Sequence, residues 1–279
     1  MSIANRVGFS TDGYFKFATR VLAFLLVSIS VFPILYTLLM TFRPANEFYS
    51  NSVQLFPHQP TFENWIFAFS ELSDALVNSF IIASGTTALS LLIIVPGAYV
   101  FGRKQFPGKT SFFYIIIVAL MFPYILLIVP IADFWYTIGL YDTIPGMWIS
   151  YQLFVAPFAI WILRDYFAKL PKNIEESAQM YGCTQFSAFV RVILPIAAPA
   201  IVAIAFLSFL TAWNDFLMSS MLTTGTGPRP AVVELFITVA GGDTSDWGLI
   251  TTETLIIGIP PTVLYLWARN YLSESFEMT

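Results

Sequence analysis

Long apolar runs alternate with short polar breaks along this chain. A bilayer core requires ~20 predominantly apolar residues in one helix, and six stretches come close to that length: about Ala18–Thr41, Leu76–Val100, Ser111–Ala132, Gly146–Leu163, Ile196–Trp213 and Gly248–Ala268. Between the first two lies a polar stretch, Arg43 to Asp74, containing Pro44, Pro57 and Pro60 and the aromatic cluster Phe62, Trp65, Phe67 and Phe69. It reads as a loop covering a membrane surface or a partner. In the second run Ser79, Ala83, Thr86 and Ser90 recur at near-helical spacing and form one small, polar stripe. Such a stripe serves close helix packing or lines a solute path. The third run contains Pro123 and Pro130, which free backbone carbonyls that only protein or a cavity can satisfy inside a membrane. The pattern predicts an all-α membrane protein with six transmembrane helices. The first run, apolar beyond Arg20, is too long for a removed signal peptide and lacks a small-residue cleavage site, so it is expected to remain as an anchor.

One polar interruption differs from the others. From Pro171 to Pro199 the chain reads PKNIEESAQMYGCTQFSAFVRVILPIAAP. Asn173 followed three residues later by Glu176 predicts a capping box opening a short helix from about Ile174 to Tyr181, and Gly182 stands where a helix ends in a left-handed residue. Ile174, Ala178 and Tyr181 share one face of that helix. Thr184 can cap a second helix, on which Phe186, Phe189, Val190 and Ile193 share a face, until Leu194-Pro195 disturbs the ladder. The prediction is a helix-turn-helix lying at a membrane surface.

Composition and charge narrow the picture. The chain is 57% hydrophobic and 11% charged, with a mean hydropathy of +0.74, far from the roughly one-quarter charged residues of a soluble domain. A single cysteine, Cys183, excludes an internal disulfide or a cysteine-built metal cluster, and the lone His58 removes the usual imidazole chemistry. No catalytic or metal site is expected. With the N-terminus inside, eleven of the thirteen basic residues face the cytoplasm, leaving only Arg43 and Arg229 outside. Both termini and the 171–199 stretch then lie on the cytoplasmic side.

The Pro171–Pro199 stretch also resembles a family signature, the cytoplasmic EAA loop of permease subunits in binding-protein-dependent ABC importers. That pattern is E-A-A, three residues, Gly, nine residues, I-x-L-P; here it reads Glu176-Ser177-Ala178, Gly182 and Val192-Ile193-Leu194-Pro195. Ser177 stands for an alanine and Val192 for an isoleucine. Outside the loop the chain resembles the carbohydrate-uptake branch, of the maltose-permease type. The matching pieces are Gly139-Leu140 with Asp142-Thr143, Pro157-Phe158 with Trp161 and Arg164, Leu170-Pro171, and Ala212-Trp213-Asn214-Asp215-Phe216, where the family's usual glutamate is replaced by Asp215.

The resemblance implies a type I ABC-importer permease core (MetI-like) with cytoplasmic EAA coupling helices. It divides the chain into a cytoplasmic N-terminus (1–17), a first transmembrane helix (18–41), an extracytoplasmic loop (42–74), a transmembrane domain (75–268) holding the coupling loop 164–195, and a cytoplasmic C-terminus (269–279). It implies import of a sugar by alternating access. The expected partners are a second permease subunit, as a heterodimer, two ABC ATPase subunits, an extracytoplasmic solute-binding protein and membrane lipid, without nucleic acid. No cofactor is expected in this chain, ATP and Mg being held by the partner ATPase, since no G-x-x-x-x-G-K-[ST] loop occurs here. A prokaryotic plasma (inner) membrane is the implied location.

The residues expected to couple to the ATPase are Glu176, Ala178, Tyr181, Gly182, Phe186, Leu194 and Pro195. Glu176 either contacts the ATPase or caps its own helix. Candidates for a pathway or gate are Asn214 and Asp215, near the outer end of the fifth helix, with Ser79 and Thr86 from the stripe. Asp215 at the interface would otherwise be simply solvated. The glycine-rich stretch Thr223 to Trp247, with Gly225, Gly227, Gly241 and Gly242, either contacts the binding protein or connects two helices. A secondary transporter or channel would show intramembrane ion pairs or an internal repeat, and neither is found.

Overall fold

The computed structural model describes residues 11–48, 56–224, 226–241 and 247–277. Gly225 and Gly242 of the glycine-rich stretch lie outside the described residues, as does the basic residue Arg6 near the N-terminus. The helices in chain order are α1 (Thr11–Met40), α2 (Ala45–Phe48), α3 (Glu63–Arg103), α4 (Lys109–Met121), α5 (Ile125–Ile138), α6 (Ile144–Lys169), α7 (Lys172–Met180), α8 (Gln185–Ala188), a π-helical turn (Phe189–Ile193), α9 (Leu194–Ile196), α10 (Ala198–Asn214), α11 (Leu217–Leu222), α12 (Ala231–Ala240) and α13 (Trp247–Glu277). No strand occurs among the described residues. Among the described residues four helices are long and apolar enough to cross a membrane, and two sharply bent pairs bring the count to six when each pair is taken as one span.

The chain divides into two compact units, Met1–Ala68 with Asp243–Leu255 and Phe69–Gly242 with Ile256–Thr279. In the first, Asn64 donates to the carbonyls of Thr41 and Arg43, both at 2.9 Å, and the Trp65 indole donates to the Thr41 hydroxyl at 3.0 Å. Gly248 belongs to the same knot. A Cβ there would stand 2.4 Å from Asn64 Nδ2 and 2.8 Å from the Arg43 carbonyl, so only glycine permits the approach. The Glu47 carboxylate accepts from the backbone N–H groups of His58 and Gln59. Along the span Phe15–Met40 the side chains are exposed almost throughout.

In the second unit the core is built by three faces. Ile94, Val95, Ala98 and Tyr99 of α3 meet Val155, Ala159, Leu163 and Phe167 of α6, together with Ile193, Ala197, Ala200 and Ile204 around the start of α10. The closeness of α3 and α6 is set by Gly102, where a Cβ would come within 2.8 Å of the Arg164 carbonyl.

Two sequence expectations need correction. First, the 42–74 stretch is not all loop: α2 lies in it, and α3 begins at Glu63. The Ser79–Ser90 stripe extends backwards as buried Ala75, Leu72, Ala68 and Asn64, so the helical period persists where polar residues become frequent. At ~1.5 Å per residue the 41 residues of α3 run about 60 Å, roughly twice a bilayer core. Second, the 111–132 run is broken into α4 and α5, which meet at 103°. Phe122, extended because it precedes Pro123, makes the break. The fifth span agrees with the sequence to within two residues, starting at Ala198 after a 77° bend from the segment Gln185–Ile196.

The proline pair Pro260-Pro261 lies inside α13. Pro261 has no N–H to offer the carbonyl of Ile257, one turn earlier. The buried Trp213 of α10 supplies the missing donor, its indole N–H reaching Ile257 O at 3.1 Å.

Candidate functional site

The 171–199 segment folds as a hairpin of short helices. Its first helix, α7, begins earlier than the capping box predicts. Its N-cap is Pro171, which makes no side-chain cap bond, and Asn173 lies within the helix. Glu176 therefore does not close a capping box; it is exposed. The reason is Leu170-Pro171, both extended, which deliver the chain already at a helix start, proline having a φ suited to it.

The C-terminal end of α7 follows the prediction. Gly182 has φ +89°. Its N–H donates to Gln179 O at 2.9 Å and that of Cys183 to Ala178 O at 3.1 Å, the paired bonds of a Schellman turn. Thr184 then caps α8, its hydroxyl accepting from Ser187 N at 3.2 Å. Beyond it the helix widens: Leu194 N–H donates to Phe189 O, five residues back. The wider turn makes room for the Pro195 ring, which in a regular α-helix would strike the carbonyl four residues earlier. It also splits the face predicted for α8. Phe189 and Ile193 pack on the core, whereas Phe186 and Val190 point outward.

Glu175, which the helical period sets off the apolar face of Ile174, Ala178 and Tyr181, is nevertheless the buried residue of α7. Its Oε1 accepts from the Tyr99 hydroxyl at 2.6 Å and from Lys104 Nζ at 2.7 Å, and its Oε2 faces Arg103 Nε at 3.3 Å. Burial pushes the Glu175 carboxyl up, but the bonds from Lys104, Tyr99 and Arg103 together outweigh it and hold the group below its usual range. Lys104 is correspondingly raised, chiefly by its bond to Glu175. The Arg103 guanidinium also donates to the carbonyls of Leu170 and Pro171. Only the adjacency of acid and helix start hinted at this role; the basic partners lie about seventy residues away in sequence.

The predicted coupling residues thus divide by exposure. Ala178 and Leu194 are half-buried, while Glu176, Tyr181, Gly182, Phe186 and Pro195 are exposed. Tyr181 (92% exposed), Met180 (88%) and Phe186 (76%) form an apolar cap around the turn. Met180 and Tyr181 lie outside every candidate span, while Phe186 lies in the segment Gln185–Ile196, the first half of a bent pair.

At the other end of the second unit the candidate pathway residues are mostly engaged in structure. Ser79 is buried, and its hydroxyl accepts from Ala231 N at 2.8 Å, satisfying the first N–H of α12. Thr86 is fully buried in the same stripe, next to Ser90, whose hydroxyl donates to Gln152 Oε1 at 2.8 Å. Both stripe residues are therefore enclosed in helix packing within the chain. Asp215 is half-buried rather than freely solvated: its Oδ2 accepts from Tyr151 OH and from Ser219 N, each at 3.0 Å, and so starts α11 against α6. Asn214, in the last turn of α10, is exposed. Asp142 takes a left-handed φ of 59° and accepts from Thr224 N at 2.8 Å, which ties the α5–α6 turn to the start of the glycine-rich stretch. Among the described residues no three of His, Cys, Asp and Glu gather in a way that would hold a metal ion.

Comparison with known proteins identifies the family of the chain. Residues 94–277 match the family model described as binding-protein-dependent transport system inner membrane component. The trehalose transport system permease protein SugB of Mycobacterium tuberculosis is 34% identical over 249 residues, covering 88% of this chain and 90% of that protein. The diacetylchitobiose uptake system permease protein NgcG of Streptomyces coelicolor is 33% identical over 221 residues, covering 78% and 73%. Among solved structures, a chain of a bacterial ABC transporter involved in the import of the acidic polysaccharide alginate superposes with a TM-score of 0.81 at 23% identity, covering 94% of this chain and 98% of that one. With the family model spanning most of the chain and a relative matched along nearly its whole length, this chain belongs to the family of binding-protein-dependent transport system inner membrane components.

Proposed function

We propose that this chain is the membrane-spanning permease subunit of an ATP-driven importer for a sugar, a mono-, di- or oligosaccharide delivered by an external solute-binding protein. The observation that carries the reading is the apolar cap of Met180, Tyr181 and Phe186 on a hairpin anchored by Glu175. An exposed apolar tip on a fixed base is what a lever needs to seat in a cleft of another protein. The sugar assignment rests on relatives named for trehalose and diacetylchitobiose uptake.

In this reading two ABC ATPase subunits hold ATP and Mg and close on the nucleotide, one seating this hairpin and the other that of a second permease subunit. The chain itself supplies no catalytic group. Both termini and the hairpin face the cytoplasm of a prokaryote's inner membrane, and the glycine-rich stretch Thr223 to Trp247 faces the binding protein. Glu176, exposed beside the cap, makes a polar contact to the ATPase, and Asn214 faces the path between the two permease subunits.

The test is reconstitution of the complete complex in lipid vesicles with a labelled sugar panel. Uptake is expected to require ATP and the binding protein. M180D/Y181D/F186D is expected to remain in the membrane but to lose its co-purifying ATPase. Uptake by the parent complex without ATP would overturn the reading.

A further inference from the structure

The hairpin could act as a lever in two ways: it could pivot where it joins α6, or it could carry the inner end of α3 with it. We propose that Glu175 is the positioning residue that decides this, by clamping α7 to Tyr99, Arg103 and Lys104 so that the hairpin and the inner end of α3 move as one body. The inference rests on the importer reading above and assigns the transmission step within it to a residue outside the EAA signature.

Five observations carry it. Both carboxylate oxygens of Glu175 are engaged, by Tyr99 at 2.6 Å, Lys104 at 2.7 Å and Arg103 at 3.3 Å. The side chains of Glu175 and Arg103 are only 9% and 3% exposed, so water competes little for their contact, while Lys104, at 34%, closes the clamp from its solvent side. Only Leu170 and Pro171 separate α6 from α7, and Arg103 holds both of their carbonyls, which removes the hinge at which a pivot would occur. The Tyr99 ring is packed between Phe167 of α6 and Phe189 of the π turn, at centroid distances of 5.8 and 4.5 Å. At the same level, Gly102 brings α3 against the α6 backbone, so displacement of the hairpin passes into both helices.

Chemistry explains why the residue is a glutamate. Three donors converge on one carboxylate; an amide would turn an N–H₂ toward at least one of them, and aspartate is shorter by one methylene. A buried ion pair is weak evidence for stability but a strong constraint on geometry, because separating it strands charges away from water. That is the property a transmission joint requires.

The experiment uses the complete complex in vesicles and reads ATP hydrolysed per sugar imported. E175Q is expected to keep its ATPase partner and to hydrolyse ATP within about twofold of the parent, while the ratio rises at least fivefold because closure no longer moves α3. An unchanged ratio would overturn the proposal. A second variant covers failure of E175Q to assemble: K104C/E175C in a C183S background, with the two cysteines bridged by a short bis-methanethiosulfonate. Bridging restores the clamp covalently and is expected to bring the ratio back to within about twofold of the parent. If the bridge arrests uptake, and reduction relieves the arrest, the hairpin pivots against α3 and the clamp is wrong. ATP-independent uptake by the parent complex would count against the importer reading itself rather than against the clamp.

Discussion

Gly182 permits a quantitative test of the hairpin turn. With φ at +89° it occupies backbone space that L side chains avoid, yet a Cβ built there meets nothing within 4 Å. Gly182→Ala therefore carries no steric collision, and its cost is the left-handed conformation alone, about 1–2 kcal/mol. At about 1.4 kcal/mol per tenfold, that weakens the turn by a factor of roughly 5 to 30. The bonds that report it are the N–H groups of residue 182 and Cys183, which donate to Gln179 O and Ala178 O. Hydrogen exchange of a peptide spanning 179–186 in the assembled complex should speed up by about that factor in the alanine variant. Asparagine tolerates the left-handed region better, so Gly182→Asn should fall between the two, and coupled uptake should follow the order Gly, Asn, Ala. Gly182→Asp adds a negative charge beside the apolar cap and should reduce ATPase association further than its backbone cost alone. Unchanged exchange and full uptake in Gly182→Ala would show that the Schellman turn does not hold the hairpin.

Other consequences can be measured on the purified protein. Trp213→Phe removes the donor to Ile257 O and should cost about 1 kcal/mol, read as a lower Tm in detergent. Adding Pro261→Ala restores an amide to that carbonyl and should recover most of the loss; no recovery would refute the account. Gly85→Ala places a Cβ 2.1 Å from the Trp148 ring and should destabilise by about 1–3 kcal/mol, with Trp148→Leu relieving part of it in a two-variant cycle. Glu175 is held below its usual carboxylate range, so its contribution to stability is fully present above the unfolded value, near 4.5, and is lost as pH falls through the lower folded value. The gap in Tm between the parent and E175Q should therefore be constant near neutrality and shrink below about pH 4.5. A gap that persists in acid would refute that ionisation.

Much of this architecture was legible because the signals were periodic or local. The six apolar runs and the left-handed glycine follow from length and from one residue's steric freedom, and both recur in the structure. The N-terminal part of α3 is hidden from a sequence reading because Asn64, Ala68 and Leu72 carry the helical period through a stretch whose prolines and polar residues suggest a loop. The capping box failed because Pro171, already committed to a helix start, competes with Asn173. The shared face of α8 was lost to the π turn, a local response to Pro195 that no regular period encodes. Glu175 was overlooked in favour of its neighbour Glu176. The two are adjacent in sequence, and only the arrival of Tyr99, Arg103 and Lys104 from the C-terminal end of α3 distinguishes them.

The polar stripe of α3 also bears on how the protein is made. Ribosomes deliver chains N-terminus first, so Ser79 enters the membrane long before the backbone amide that meets it, which lies 152 residues downstream. Gln152, the partner of Ser90, follows after 62 residues. Until then the newly inserted helix presents hydroxyl groups to lipid or to the insertion machinery, and each later helix that docks removes part of that exposure. Assembly order is thereby written into one face of a single helix: a chain truncated before Ala231 leaves Ser79 without the amide it receives in the finished fold, which gives cellular quality control a polar mark of incompleteness.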